Sequence, residues 1–268
     1  PTGASAAAAK AARAAGAVFG AAATATAAAA APASETADAA RTASDAIAPL
    51  ASAAALESAR RPTLAISLTR AHCAAVRRLH ELDPSGAGAK ALPAACHDMV
   101  KALNAAHEGV AMEAARSLSA LIAKCVDANM VREGIKAMAR AKAQGRDAAT
   151  VRPPPVVGVA NALKASLGFR YRAAWPAALP VVAAAFDRLG AAAGPILGGC
   201  LEALGEMGAH AEGLACRAQL MQCVASAVAA LGPEQALATL TLFCRALSAL
   251  SLALLLPNAA VWGCRAGA

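Results

Sequence analysis

The side chains with the most chemical potential are five histidines (His72, His80, His97, His107, His210) and eight cysteines (Cys73, Cys96, Cys125, Cys200, Cys216, Cys223, Cys244, Cys264). Neither set has the spacing that chemistry requires. Zinc sites built from paired ligands place them roughly two to four residues apart. Here no Cys-x-x-Cys occurs, and His72-Cys73 and Cys96-His97 are adjacent pairs, whose side chains diverge on a helix. Asp98, His107 and a cysteine could be imagined as a hydrolytic set, but nothing in the sequence fixes their geometry. Gly86-Ala87-Gly88 lacks a third glycine and a preceding strand, and no Gly-x-x-x-x-Gly-Lys-Ser/Thr loop is present. This reading gives no enzyme, no cofactor, no structural metal and no small-molecule substrate. The cysteines read as small hydrophobes in a reducing compartment.

The charge is more informative. The net charge is +8, and residues 132–172 hold nine basic residues against only Glu133 and Asp147. The nine are Arg132, Lys136, Arg140, Lys142, Arg146, Arg152, Lys164, Arg170 and Arg172. Arg132, Lys136 and Arg140 recur every fourth residue, which places them on one helix face. Such a stripe can neutralise phosphates and release counterions. A solvated helix face with a basic loop, or an acidic protein partner, would use the same residues. Tyr171 is the nearby aromatic with a polar edge, and the shortage of interleaved stacking residues argues against sequence-specific reading of a single strand.

The elements that must position these residues are helices. Of the 268 residues, 58% are hydrophobic, much of that alanine, and only 3% are aromatic. Alanine favours helices because it loses no side-chain entropy there. A β-sandwich would need branched and aromatic strand residues. One helix is expected over about 39–60, interrupted near Pro49. A second opens at Pro62, with Leu64, Leu68, Ala71, Ala75, Leu79 and Leu82 on its buried face, and ends at the turn Asp83-Pro84-Ser85-Gly86. Further helices are expected from Lys90 to His107, through Met112, Ala115, Leu118, Ile122 and Cys125, and from Asn129 to Ala143. A Pro-rich loop at 145–155 separates two helical blocks.

The stretch from Phe169 to Met207 says most about architecture. Tyr171-Arg172 leads to Trp175, and apolar residues then recur at Leu179, Val182, Phe186 and Leu189. After Gly190 and a break at Gly194-Pro195, a second stripe runs through Leu197, Cys200, Leu204 and Met207. These intervals predict one antiparallel helical hairpin of about 40 residues, the period of HEAT-type repeats. Tyr171, Arg172 and Trp175 read as packing at its entry. Another stripe, Leu214, Met221, Val224, Val228 and Leu231, precedes Gly232-Pro233. The expected fold is all-α: stacked antiparallel hairpins forming a HEAT-like α-solenoid fragment. Its expected organisation is a low-complexity Ala-rich segment at 1–38, a repeat array at 39–256 and an irregular tail at 257–268.

The Tyr171-Arg172 and Trp175 lead, the two stripes and Leu231-Gly232-Pro233-Glu234 resemble the ribosomal RNA-processing protein 12 family of nucleolar HEAT-repeat proteins. The resemblance runs from about Val126 to Leu240; residues after Leu242 depart from the pattern. It implies a fragment of a longer chain, in keeping with a first residue that is Pro. It also implies a non-catalytic scaffold in small-subunit pre-rRNA processing, pre-ribosome assembly and export. The implied partners are pre-ribosomal RNA, ribosome assembly factors and the nuclear export machinery, with no membrane, in the nucleus and nucleolus. The alternative is a helical-repeat adaptor that binds protein but not RNA. An organellar location would suit the acid-free residues 1–34, which otherwise read as a linker. The apolar stretch from Ala236 to Leu256 reads as a buried terminal helix, since Arg245 would be costly in a membrane.

Overall fold

The computed structural model describes residues 33–143, 153–208, 213 and 215–239. The structure of these residues is helical, with no strand among them. The helices are α1 (Ala33–Glu57), α2 (Pro62–Leu82), α3 (Ala87–Leu103), α4 (Glu108–Cys125), α5 (Ala128–Ala143), α6 (Pro155–Ser166), α7 (Trp175–Leu189), α8 (Ala193–Gly208), α9 (Arg217–Leu231) and α10 (Pro233–Thr239). A short 3₁₀ turn, Phe169–Ala174, joins α6 to α7.

Local chemistry sets most boundaries. Pro62 and Pro155 occupy first-turn positions, where a missing N–H costs nothing. The Asp83 carboxylate accepts hydrogen bonds from Gly86 N (2.9 Å) and Ala87 N (2.6 Å), which starts α3 and holds the Asp83 pKa below its ordinary value. The Asp127 carboxylate starts α5 by accepting a hydrogen bond from Met130 N at 2.6 Å. Gly190 (φ +52°) and Gly232 (φ +82°) end α7 and α9 in the left-handed region that favours glycine. The two glycines lie about 40 residues apart, one HEAT-type period.

The helices pack in two layers. In one, α1 lies on α3, α3 on α6, α6 on α8, and α8 on α10; in the other, α2 lies on α4, α4 on α7, and α7 on α9. Consecutive members pair across the layers, so each pair stacks only on its neighbours, the arrangement of a repeat solenoid. Polar contacts follow the layers. Cys73 Sγ donates to Ser117 O between α2 and α4, and Cys200 Sγ donates to Ala160 O between α8 and α6, both at 3.6 Å. Arg188 Nε donates to Val126 O at 3.1 Å, so α7 satisfies a carbonyl at the C-terminus of α4. One continuous apolar core runs between the layers, with Leu79, Leu92, Leu121, Leu179, Phe186 and Leu204 fully buried.

Several sequence expectations are corrected. α1 continues through Pro49 rather than breaking there. α3 ends at Leu103, and His107 caps α4 instead, its Nδ1 accepting from Gly109 N at 3.1 Å. Met112 lies at the edge of the α4 stripe and is 40% exposed, while Val110 and Ala114 are buried. α8 begins at Ala193, ahead of Pro195. The expected hairpin at 169–207 holds two helices with the expected faces, but α7 and α8 touch only lightly. Each makes its broadest contacts elsewhere in the stack, and α7 meets α6 no more closely than it meets α8. That stretch is hydrophobic enough on average to resemble a membrane span, but the turn at Gly190 divides it and much of it is buried in the stack. Residues 1–32, 144–152, 209–212, Leu214 and everything from Leu240 onward lie outside the described residues, and with them most of the expected Pro-rich loop, His210 and the expected tail.

Candidate nucleic-acid interface

α5 stands apart from the layers. The joins α2–α3, α7–α8 and α9–α10 take a few residues at most, whereas α4 and α6 are separated by α5 and the Pro-rich stretch. Among the described helices α5 packs chiefly against α6. The seat is close because Gly134 sits on Val156, where a Cβ would collide with the valine side chain. Met130 and Gly134 are buried on this side, with Ile135 and Met138 half-buried.

The opposite face carries the charge. Arg132, Lys136 and Arg140 are all exposed. Lys136 Nζ lies 3.0 Å from Glu133 Oε1, with both side chains more than half exposed. The Glu133 carboxyl is held below the usual carboxylate range, first by its hydrogen bond to Lys136, then by the charge of Lys136 and of Arg140 and Arg132. One carboxylate therefore sits within the field of three cations, leaving an excess of positive charge on a solvated helix face.

The rest of the basic set is divided. The Lys142 side chain and Arg146 and Arg152 lie outside the described residues. Lys164, Arg170 and Arg172 are exposed, but they sit at the far end of α6 from Val156, about 15 Å away at 1.5 Å per residue. Lys164 lies along α8: a Cβ at Gly199 would be 3.0 Å from its Nζ, and Nζ is 3.6 Å from Glu202 Oε2. The structure thus makes two cationic sites of the described residues, the α5 face and the turn after α6.

That turn contains a feature the sequence reading missed. Tyr171 is buried, whereas Phe169 is 53% exposed. Arg172 stacks over the Phe169 ring (5.0 Å to the centroid) and Arg170 over Tyr171 (4.7 Å). Phe169 meets the buried Trp175 edge to face, at 6.4 Å and 75°. The signal was present as the alternation Phe169-Arg170-Tyr171-Arg172, which interleaves aromatics with cations.

The candidate reactive groups lie elsewhere and are occupied by packing. Cys73, Cys96, Cys125, Cys200, Cys216 and Cys223 are free and buried. Burial pushes the Cys125 thiol up to about 11 and those of Cys200 and Cys223 up to about 12, with Cys96 also raised. Such thiols are poor nucleophiles and poor metal ligands at neutral pH. Among the described residues no three His, Cys, Asp or Glu side chains come together to hold a metal. A cleft of about 490 Å³ between α1, α2 and α3 is lined by His72, Asp98, Thr69 and the alanines and serines of α1. His72 Nε2 is buried there without a hydrogen-bond partner.

Two layers of packed helices define a HEAT-type helical-repeat protein. The chain belongs to the family described as "Ribosomal RNA-processing protein 12, HEAT repeats", whose model matches residues 104–257. The match begins between α3 and α4 and includes both cationic sites. It also runs past Leu242, so the expected departure from the pattern there is corrected. No individual curated protein matches the chain. The family ties this repeat array to ribosome biogenesis, and HEAT-repeat proteins of this kind are typically non-catalytic scaffolds.

Proposed function

We propose that this chain is a scaffold for small-subunit pre-rRNA processing, pre-ribosome assembly and export, working in the nucleus and nucleolus. In this reading it holds pre-ribosomal RNA by the phosphate backbone and assembly factors by the remaining faces of the stack. The observation that supports it is the α5 face: Arg132, Lys136 and Arg140 exposed on a helix outside the layers, opposed only by Glu133. Because α5 contributes little to the layers, its outer face is open to a partner without disturbing the core. Cations on such a face gain affinity chiefly by releasing counterions, a contribution indifferent to base sequence.

Replacing Arg132, Lys136, Arg140, Lys142 and Arg146 with Gln tests this by titrating structured RNA at several salt concentrations. The five substitutions are expected to weaken binding at least tenfold near physiological salt and to flatten the plot of log affinity against log salt by about 2 to 4 units. Unchanged affinity would refute the RNA-backbone role and leave the adaptor that binds protein alone.

A further inference from the structure

We propose that the Phe169–Ala174 turn is a second, distinct RNA contact that takes an unpaired nucleotide, its base against the Phe169 ring and its flanking phosphates on Arg170 and Arg172. This rests on the reading of the chain as RNA-binding and goes beyond it by specifying single-stranded RNA at a defined place.

Among the described residues the large apolar side chains left exposed are Leu56, Met112 and Phe169. Met112 lies beside Arg70 and Arg116, which pair with Glu113, whereas Phe169 lies beside arginines that stack on aromatic rings. The Phe169 ring is held in place by the edge-to-face contact with Trp175, which is 2% exposed. A ring oriented in this way offers stacking surface at little entropic cost.

The two arginines are ordered in the same manner. Arg172 stacks on Phe169 and Arg170 on Tyr171. A stacked guanidinium keeps its N–H edge available for an oxyanion. Neither arginine forms an ion pair with a described residue. The sequence holds no acid between Asp147 and Asp187, so the turn is not neutralised by its chain neighbours.

An exposed ring flanked by ordered cations is the combination that binds single-stranded nucleic acid, with bases stacking and arginines tracking the backbone. Phenylalanine has no hydrogen-bonding edge, so the contact tolerates any base. It cannot be made with a duplex, whose bases are stacked within the A-form helix. The α5 face would accept paired or unpaired RNA alike; the turn would accept only the unpaired.

The test uses the full chain, an unstructured oligouridine and a duplex RNA of equal length, with binding read by fluorescence anisotropy. Thermal melting verifies that each variant is folded. Phe169→Ala and Phe169→Leu are expected to weaken oligouridine binding about tenfold or more while duplex affinity stays within about twofold. Phe169→Tyr should retain oligouridine binding. Photocrosslinking of 4-thiouridine to the peptide containing Phe169 would support the assignment. Equal losses on both RNAs would overturn it, as would no loss on oligouridine. Tight binding of an oligoglutamate peptide that depends on Phe169, without an effect on oligouridine, would overturn it in favour of an acidic protein partner. If the unaltered chain binds neither RNA, the RNA-binding reading itself fails, a result separable from failure of the turn alone.

Discussion

The cations of the first two helix pairs and those between α5 and α7 have different fates. Arg70 on α2 reaches across to Glu113 on α4, donating from Nε at 2.8 Å and from an Nη at 3.0 Å, and Arg116 approaches the same carboxylate at 3.6 Å. Glu113 is nearly buried, and its pKa is lowered first by the hydrogen bond from Arg70, against the opposing effect of burial. Here arginine joins neighbouring repeats. On α5 three cations share one exposed carboxylate, and at the turn after α6 the arginines lie on aromatic rings instead of acids. The residue types are alike, but local carboxylate supply decides whether a cation holds the stack together or is presented to a partner.

The largest effect on folding is expected from pH. Burial pushes the His72 pKa down to about 4, against the pull of the Asp98 carboxylate. A group whose pKa is lowered on folding is protonated more readily in the unfolded chain. The stability it supports is therefore complete above its ordinary pKa of 6.5 and is lost as pH falls through 6.5 toward 4. Denaturant unfolding should show a loss of about 2 kcal/mol between pH 7.5 and 5. His72→Gln should flatten that dependence if the first pairs are the acid-sensitive part.

Arg70→Ala comes next. It leaves the nearly buried Glu113 with Arg116 alone and is expected to lower stability measurably in the same assay, by less than the pH effect. RNA affinity should be unchanged; a loss comparable to that of the α5 variants would erase the distinction between joining and presenting cations. The smallest effect belongs to Lys164→Ala. Its ion pair with Glu202 is more than half exposed on both sides, so the expected change is under about 0.5 kcal/mol. A larger cost would place Lys164 with Arg70 among the cations that hold repeats together.

The stripes of α7 and α8 were legible from spacing because burial on one helix face imposes a period of 3.6 residues, and Leu179, Phe186, Leu197 and Leu204 are indeed buried. Which helix lies against which was not legible. A stripe specifies a face but not its partner, and the contacts of α7 with α4 and α9 and of α8 with α6 are ones that spacing alone cannot name. The separateness of α5 was visible only indirectly, in its charge and in Gly134. Phe169 has no polar edge to mark it in the sequence, and whether a ring is covered depends on tertiary packing around Trp175. The cap formed by His107 was missed because the preceding helix stops sooner than its apolar content suggests.

The long join between the second and third pairs has a consequence for how such arrays diversify. α3 still reaches α6, and α4 still reaches α7, across the intervening chain. The rod thus tolerates a detour at this point, since the entropy of closing a loop grows only logarithmically, by about 0.6 kcal/mol for each doubling of length. A segment such as α5 can be lengthened, shortened or exchanged there while the stacking surfaces on either side keep their register.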